Sequence, residues 1–329
     1  MAYRSFAAQT KHYFTRPHEG LPPGPISSPA AWRGVDIRRR EDLWRRVLSP
    51  AHIAELEVAI AGVRAAALDL AEVDGESFPL PTLAREVEEW RRTIEQGCGF
   101  VVVGALPVDR WSREDTALAF WGLGHHLGIP GAQNPDQELL GHVRDYGEAG
   151  DNPSVRLYRT AANIGFHCDA ADVVGLLCLQ PARNGGQSRV VSTVTLYNAL
   201  LERRPDLARR LFAPFKLDGR GESRPGTPPY SQLPPCRFAR GELRTFYHSE
   251  YMRSVARLEG VALSDEERAV LDLYDTLAAD PEVHLDMWLK AGEMQFLSNH
   301  TLAHARTAYE DDPDRARHLL RLWLSLNLR

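Results

Sequence analysis

Phe166-His167-Cys168-Asp169, followed by the apolar run Val173-Val174-Gly175-Leu176-Leu177-Cys178-Leu179, is the stretch from which the fold is read. A strand alternates its side chains, so a strand through 166–169 presents His167 and Asp169 on one face and Cys168 on the other. An imidazole and a carboxylate side by side supply two of the three protein ligands of a 2-His-1-carboxylate iron site, whose remaining positions stay open. Such a site needs a second histidine from elsewhere in the chain. Isolated His-x-Asp tripeptides arise often by chance, so the reading depends on the surroundings.

Those surroundings are ordinary in bulk. A chain of 329 residues, 43% hydrophobic and 25% charged, can bury a substantial core. The formal charge of -5 carries no electrostatic footprint for nucleic acid. Four cysteines (Cys98, Cys168, Cys178 and Cys236) include no Cys-x-x-Cys pair, which argues against a zinc module or a disulfide framework. With no signal-peptide pattern at the N-terminus and no run of membrane-spanning length, the expectation is a cytoplasmic protein that engages no membrane.

Read in order, the chain predicts one domain spanning 1–329, helices early and strands concentrated after residue 155. Residues 1–48, with Pro17, Pro22, Pro23, Pro25 and Pro29, read as an extended N-terminal arm. Ser49-Pro50 opens a helix carrying Ile53, Leu56, Ile60 and Val63 at helical spacing. A second helix runs from Thr82 to Gly97, and Phe100-Val101-Val102-Val103 is a buried strand. Ser112 with Asp115 opens a third helix. The irregular stretch 128–156 reads as a lid over the His167 strand. Asn184-Gly185-Gly186 is a turn, Ser188–Val194 a strand, Thr195–Phe212 a helix broken at Pro205, and 214–241 a surface excursion. Ser264 caps a late helix, and strands return at 294–297 and from His318 onward.

The last strand is strongly patterned. Its even positions from 318 to 328 are His followed by five leucines; its odd positions include Arg317, Arg321 and Trp323. One face packs on another layer, while the other suits either a polar cavity or solvent. Arginines turned inward need an anionic partner. For the missing ligand, Leu297-Ser298-Asn299-His300-Thr301-Leu302-Ala303-His304-Ala305-Arg306 offers His300 and His304.

Taken together, Phe166–Asp169, Asp172–Ala182, Gly185-Gly186-Gln187-Ser188 and Asn299 through Trp323 resemble the taurine dioxygenase and clavaminate synthase-like superfamily of Fe(II)- and 2-oxoglutarate-dependent oxygenases. The likeness extends to Phe78-Pro79-Leu80-Pro81, Gly97–Val102 and His142-Val143-Arg144-Asp145, so most of the chain from about residue 50 takes part. It implies an α+β fold, a double-stranded β-helix (a jelly-roll, cupin-like core) flanked by helices. Matched position by position, it makes His167, Asp169 and His304 the iron ligands, His304 filling the histidine place of Asn-x-x-x-x-His-x-Arg. Arg317 matches the arginine that binds the distal carboxylate of 2-oxoglutarate, a role for which a guanidinium fork is suited; Arg315 is the rival for it. Ser188 falls where a hydroxyl meets the same carboxylate, and Arg321 shares the face of Arg317. Asn163, Tyr158 and Asn299 are the substrate-contacting candidates, with Tyr247, His248 and Tyr251 behind them.

The implied activity is oxidation of an unactivated C–H bond of a small molecule, most simply hydroxylation, with O2 consumed and succinate and CO2 released. The same chemistry can yield desaturation or ring closure. A cupin-like metal enzyme that ignores 2-oxoglutarate, or a degenerate fold used as a scaffold, would leave Arg317 and the complete ligand set without purpose. Base rates for soluble enzymes favour a homo-oligomer.

Overall fold

The computed structural model describes residues 3–148, 156–221 and 226–326. Two β-sheets face one another. The larger has the strand order Arg45–Val47, Phe100–Gly104, Met294–Ser298, Val173–Gln180, His318–Ser325, with Ile129–Gly131 and Gly141–Val143 both added beside the last of these. The smaller orders Leu285–Met287, Ser188–Ser192, Leu302–Arg306 and Ile164–His167. Strands distant in the chain are neighbours in both sheets, and this crossing-over makes the jelly roll expected from the sequence.

Each face is covered according to its pattern. Leu320, Leu322 and Leu324 of the final strand pack with Leu177 and Phe296 against helices Pro50–Ala65, Leu83–Gln96 and Arg113–Leu127. Between the sheets lie Phe100, Val102, Val174, Val190, Leu297, Leu302 and Trp323. Helices Thr193–Arg203 and Asp265–Ala279 close the outer side of the smaller sheet over Val191 and Ala303. The even leucines therefore meet a helical layer, and the odd face of the same strand looks into the space between the sheets.

Three expectations are corrected. The N-terminal arm is not extended throughout: Ser5 caps a helix, α1, at Phe6–Phe14, and Arg45–Val47 pairs in parallel with Phe100–Gly104. The expected lid is sheet in part, because Pro130 and Gly131, like Gly141–Val143, align beside the final strand; residues 149–155 lie outside the described residues. The stretch 214–241 is more than a surface excursion. Phe215–Asp218 pairs with Tyr230–Leu233 and Cys236–Ala239 with Glu242–Thr245, and Phe215, Leu217 and Cys236 are buried; proline and glycine there mark hairpin turns. Residues 222–225 lie outside the described residues.

Candidate active site

Strand register builds the site. In the smaller sheet His304 sits directly opposite His167, and Arg306 directly opposite Ser188. The strand carrying His167 ends there, so Asp169 is not on it as the alternation predicted. The Cys168 amide donates to Tyr247 O at 2.8 Å, and the Asp169 amide donates to Asn299 Oδ1 at 3.2 Å, fixing the chain just past the strand. The outcome matches the expected geometry. Cys168 turns into the apolar cluster under the smaller sheet, while Asp169 turns to the histidines.

One ligand atom each from His167, Asp169 and His304 lie within 4.8 Å of one another, the arrangement a single ion requires. His167 Nδ1 lies 3.0 Å from Gly165 O, so it carries the proton and Nε2 is left as the donor to a metal. Burial opposes ionisation of Asp169, but Arg321, His304, His167 and the Trp323 indole outweigh it and hold the carboxyl well below its usual range. Trp323 Nε1 donates to Asp169 Oδ2 at 3.1 Å, and Arg321 Nη1 stands 3.6 Å from the same oxygen. Burial, then the neighbouring His167, pushes His304 down to about 3, so it offers a neutral nitrogen at neutral pH. The donor set fits Fe(II) in kind, number and protonation.

His300 is elsewhere occupied. It is buried, stacked on Tyr13 with ring centroids 4.7 Å apart, and its Nε2 meets Asp172 Oδ1 at 2.8 Å.

Beside the triad, Ser188, Arg306, Arg317, Leu176, Leu319 and Val143 line a recess. Arg317 is 5% exposed, has Nη1 without a hydrogen-bond partner, and lies over the Tyr309 ring at 4.9 Å. Gly186, at φ +71°, lets it in: a Cβ there would stand 3.0 Å from Arg317 Nε. Arg306 shares the Tyr309 ring, gives Nη2 to Thr160 O at 2.9 Å and leaves Nε and Nη1 unpartnered. Burial pushes Arg306 down to about 10, with Arg317 adding to it. Neither guanidinium forms an ion pair among the described residues, so the recess fits a carboxylate-bearing ligand. Arg315 is exposed and carries none of this geometry.

A larger cavity of about 610 Å³ opens on the other side of His167 and Asp169. Tyr158 lines it, under the Arg321 guanidinium at 4.6 Å, as do His248 and Tyr251, stacked at 3.7 Å. Two substrate-contact expectations are corrected. Asn163 is exposed and lies outside the cavity lining, where Ile164 appears instead. Asn299 is fully buried, lies outside the cavity lining and holds the backbone of Asp169. Tyr247 is likewise core, its hydroxyl donating to Asp275 at 2.7 Å. The sequence reading missed Gln133, which accepts from Arg321 Nε at 2.7 Å, and the whole contribution of α1. Trp323 was legible as the i+2 neighbour of Arg321.

A jelly roll with this donor set and this arginine recess defines the class of Fe(II)- and 2-oxoglutarate-dependent oxygenases. Residues 65–323 match the family described as "Taurine catabolism dioxygenase TauD, TfdA family", and the chain belongs to that family. It is accordingly a 2-oxoglutarate-dependent dioxygenase that uses Fe(II), 2-oxoglutarate and O2 and acts on a small molecule.

Among curated relatives, FR-33289 synthase of Streptomyces rubellomurinus (strain ATCC 31215) is 30% identical over 309 residues, covering 92% of this chain and 91% of that protein. The taurine hydroxylase-like protein SAT17 of Stachybotrys chartarum (strain CBS 109288 / IBT 7711) is 28% identical over 91% of this chain and 79% of its own. The fold is shared with an asparagine oxygenase solved with Fe(II), 2S,3S-3-hydroxyasparagine and succinate, at a TM-score of 0.67 and 16% identity over 86% of this chain and 93% of that one. It is shared also with the non-heme iron oxygenase OrfP bound to Fe and alpha-ketoglutaric acid, at a TM-score of 0.65 and 15% identity over 87% and 94%. Among the described residues no helix is long and apolar enough to cross a membrane.

Proposed function

We propose that His167, Asp169 and His304 hold the Fe(II), that Arg317 receives the distal carboxylate of 2-oxoglutarate with Arg306 and Ser188 beside it, the Ser188 hydroxyl turning from Gln295 Oε1, to which it donates at 2.9 Å, and that the reaction is hydroxylation of a small polar molecule seated in the 610 Å³ cavity. The observation that carries this is the convergence of three ligand atoms beside a buried, unpaired guanidinium. Bound iron with 2-oxoglutarate and O2 supplies the oxidant that attacks the C–H bond, leaving succinate and CO2. The chain's part is placement. Asn299 and Trp323 fix Asp169 through its amide and its carboxylate. Gln133 fixes Arg321, which neutralises Asp169 and floors the cavity with Tyr158.

A relative named as a taurine hydroxylase-like protein supports hydroxylation. Charged groups of both signs on the cavity wall, Arg156, Arg220 and Arg321 with Asp136 and Glu250, support a charged or zwitterionic substrate. A single oxygenase domain, a cytoplasmic location and a homo-oligomeric state belong to the same proposal; a monomer mass by light scattering removes the last.

The test is anaerobic addition of Fe(II) and 2-oxoglutarate, which should raise a charge-transfer band in the visible region. Folded protein without the band overturns the assignment. Asp169→Ala should abolish substrate-coupled succinate release with the fold intact, and normal turnover by that variant removes Asp169 from the ligand set.

A further inference from the structure

We infer that helix α1 (Phe6–Phe14) is the specificity-determining wall of the substrate cavity, with Phe6, Thr10 and Phe14 as the selecting side chains. This rests on the oxygenase reading above and goes beyond it, since α1 precedes residue 65, where the family match begins.

The helix has three faces, and each has a different fate. Ala7, Ala8 and Lys11 are exposed. Gln9 and Tyr13, with Arg16 just past the C-cap, are buried against the body of the protein. Phe6, Thr10 and Phe14, spaced i, i+4 and i+8 and therefore stacked along one stripe, line the cavity together with His167, Asp169 and Trp323. One of the cavity's sides is thus made by a segment remote in sequence from every ligand.

The buried face holds that stripe in place by polar contacts of unusual density. Arg16 pairs with Asp172, and His12 Nε2 reaches the same carboxylate at 2.9 Å. Asp172 also takes the Leu326 amide at 2.7 Å and meets His300 at 2.8 Å, so four partners converge on one buried acid. Tyr13 Oη donates to Asn299 O at 2.9 Å, the same residue whose side chain holds Asp169. Beyond the C-terminal end of the helix Arg237 Nη1 donates to Phe14 O and Arg16 O at 2.8 and 2.7 Å, and at the N-terminal end Gln137 Oε1 accepts from the Phe6 amide at 3.1 Å. A surface helix with no task beyond covering the core would need only its apolar face. This one is tied to the ligand-bearing segment through Asp172 and Asn299 and to Gln137 and Arg237 at its two ends, which fixes where Phe6 and Phe14 stand relative to the metal position.

Phe14 also packs edge-on against Phe246, another cavity residue, at 4.9 Å between centroids. The two aromatics of the stripe therefore set the width of the cavity, and Thr10, the small residue between them, sets its depth at the middle of the helix. A pocket wall discriminates by volume at roughly 10- to 200-fold per methylene-sized change.

The experiment uses the full-length protein as wild type, Phe14→Ala, Thr10→Leu and, as a control on the exposed face, Lys11→Ala. Each is supplied with Fe(II), 2-oxoglutarate, oxygen and a panel of free amino acids, N-acylated amino acids and nucleoside monophosphates of graded size. Succinate release is measured for every member, and the anaerobic charge-transfer band is titrated with 2-oxoglutarate. We expect Phe14→Ala to favour larger panel members and Thr10→Leu smaller ones, with ratios moving at least ten-fold in opposite directions. Lys11→Ala should match wild type, and the band should be unchanged in all four. A panel profile that is the same in all four proteins, active or blank, overturns the inference. So does a band weakened in step with turnover, which would make α1 a support for the metal site alone. Absence of the band from folded wild type overturns the oxygenase reading and this one with it, and is told apart by that spectrum.

Discussion

Arg317 shows what a buried charge says about a ligand. Burial lowers its pKa, the Tyr309 ring lies 4.9 Å from the guanidinium, and Nη1 has no hydrogen-bond partner. An arginine kept in that condition needs an anion, and hydrogen bonds to charged groups contribute about 1.5–3 kcal/mol each. Arg317→Met should therefore weaken 2-oxoglutarate binding on the order of 10- to 100-fold in the charge-transfer titration. Arg315→Met, at an exposed site, should leave it alone. The reverse pattern would reassign the co-substrate arginine. The proposed iron ligands His167 and Asp169 were legible in the sequence as residue types, because extended backbone puts the side chains at i and i+2 on the same side. The choice between His300 and His304 was not decided by spacing alone, since both sit in the same ten residues.

At the scale of elements, Asp172 ties four pieces of chain together: α1, the segment after Asp169, the end of the last strand and the turn at His300. Its carboxyl is held far below the ordinary range, because the hydrogen bonds from His12 and His300 and the charge of Arg16 outweigh the burial that opposes ionisation. Removing one partner of a buried ion pair leaves the other charge uncompensated, at a cost of about 3–5 kcal/mol. Asp172→Asn should lower stability by that order in urea unfolding, and an unchanged midpoint would show that the network contributes little. Secondary structure at this scale was largely readable. The caps at Ser49, Ser112 and Ser264 are all observed, because a cap depends on neighbours within one turn. The helix at Phe6–Phe14 was not, because it is short, its prolines follow closely, and its stabilisation comes from Asp172 and Asn299 far along the chain.

For the molecule as a whole, one contribution to the pH dependence of stability, alongside those of His125 and His300, which burial also pushes down to about 4, can be read from His318, which joins the sheet to the third long helix. Arg113 Nη1 donates to its Nδ1 at 2.8 Å, so Nε2 carries the proton and donates to His142 Nδ1 at 2.8 Å. Burial first, then His142 and Arg113, pushes His318 down to about 4. Its folded pKa thus lies below the unfolded value of about 6.5, and the unfolded chain binds more protons between those limits. The contribution is fully present above about pH 6.5 and is lost as pH falls toward 4. Thermal unfolding followed across that window should show a falling Tm, and His318→Gln should flatten the fall. An equally steep fall in that variant would place the acid sensitivity elsewhere.

What the sequence determined by itself was what local periodicity and local caps set: the greasy and arginine-bearing faces of the last strand and the capped helices at Ser49, Ser112 and Ser264, with His167 and Asp169 legible as residue types. Tertiary structure alone decided which residues meet. The register that sets His304 against His167, the turn that makes Asn299 a brace for Asp169, and the docking of α1 along the cavity all join residues more than a hundred positions apart. Such contacts depend on how sheets and helices pack together, and no window of sequence contains that packing.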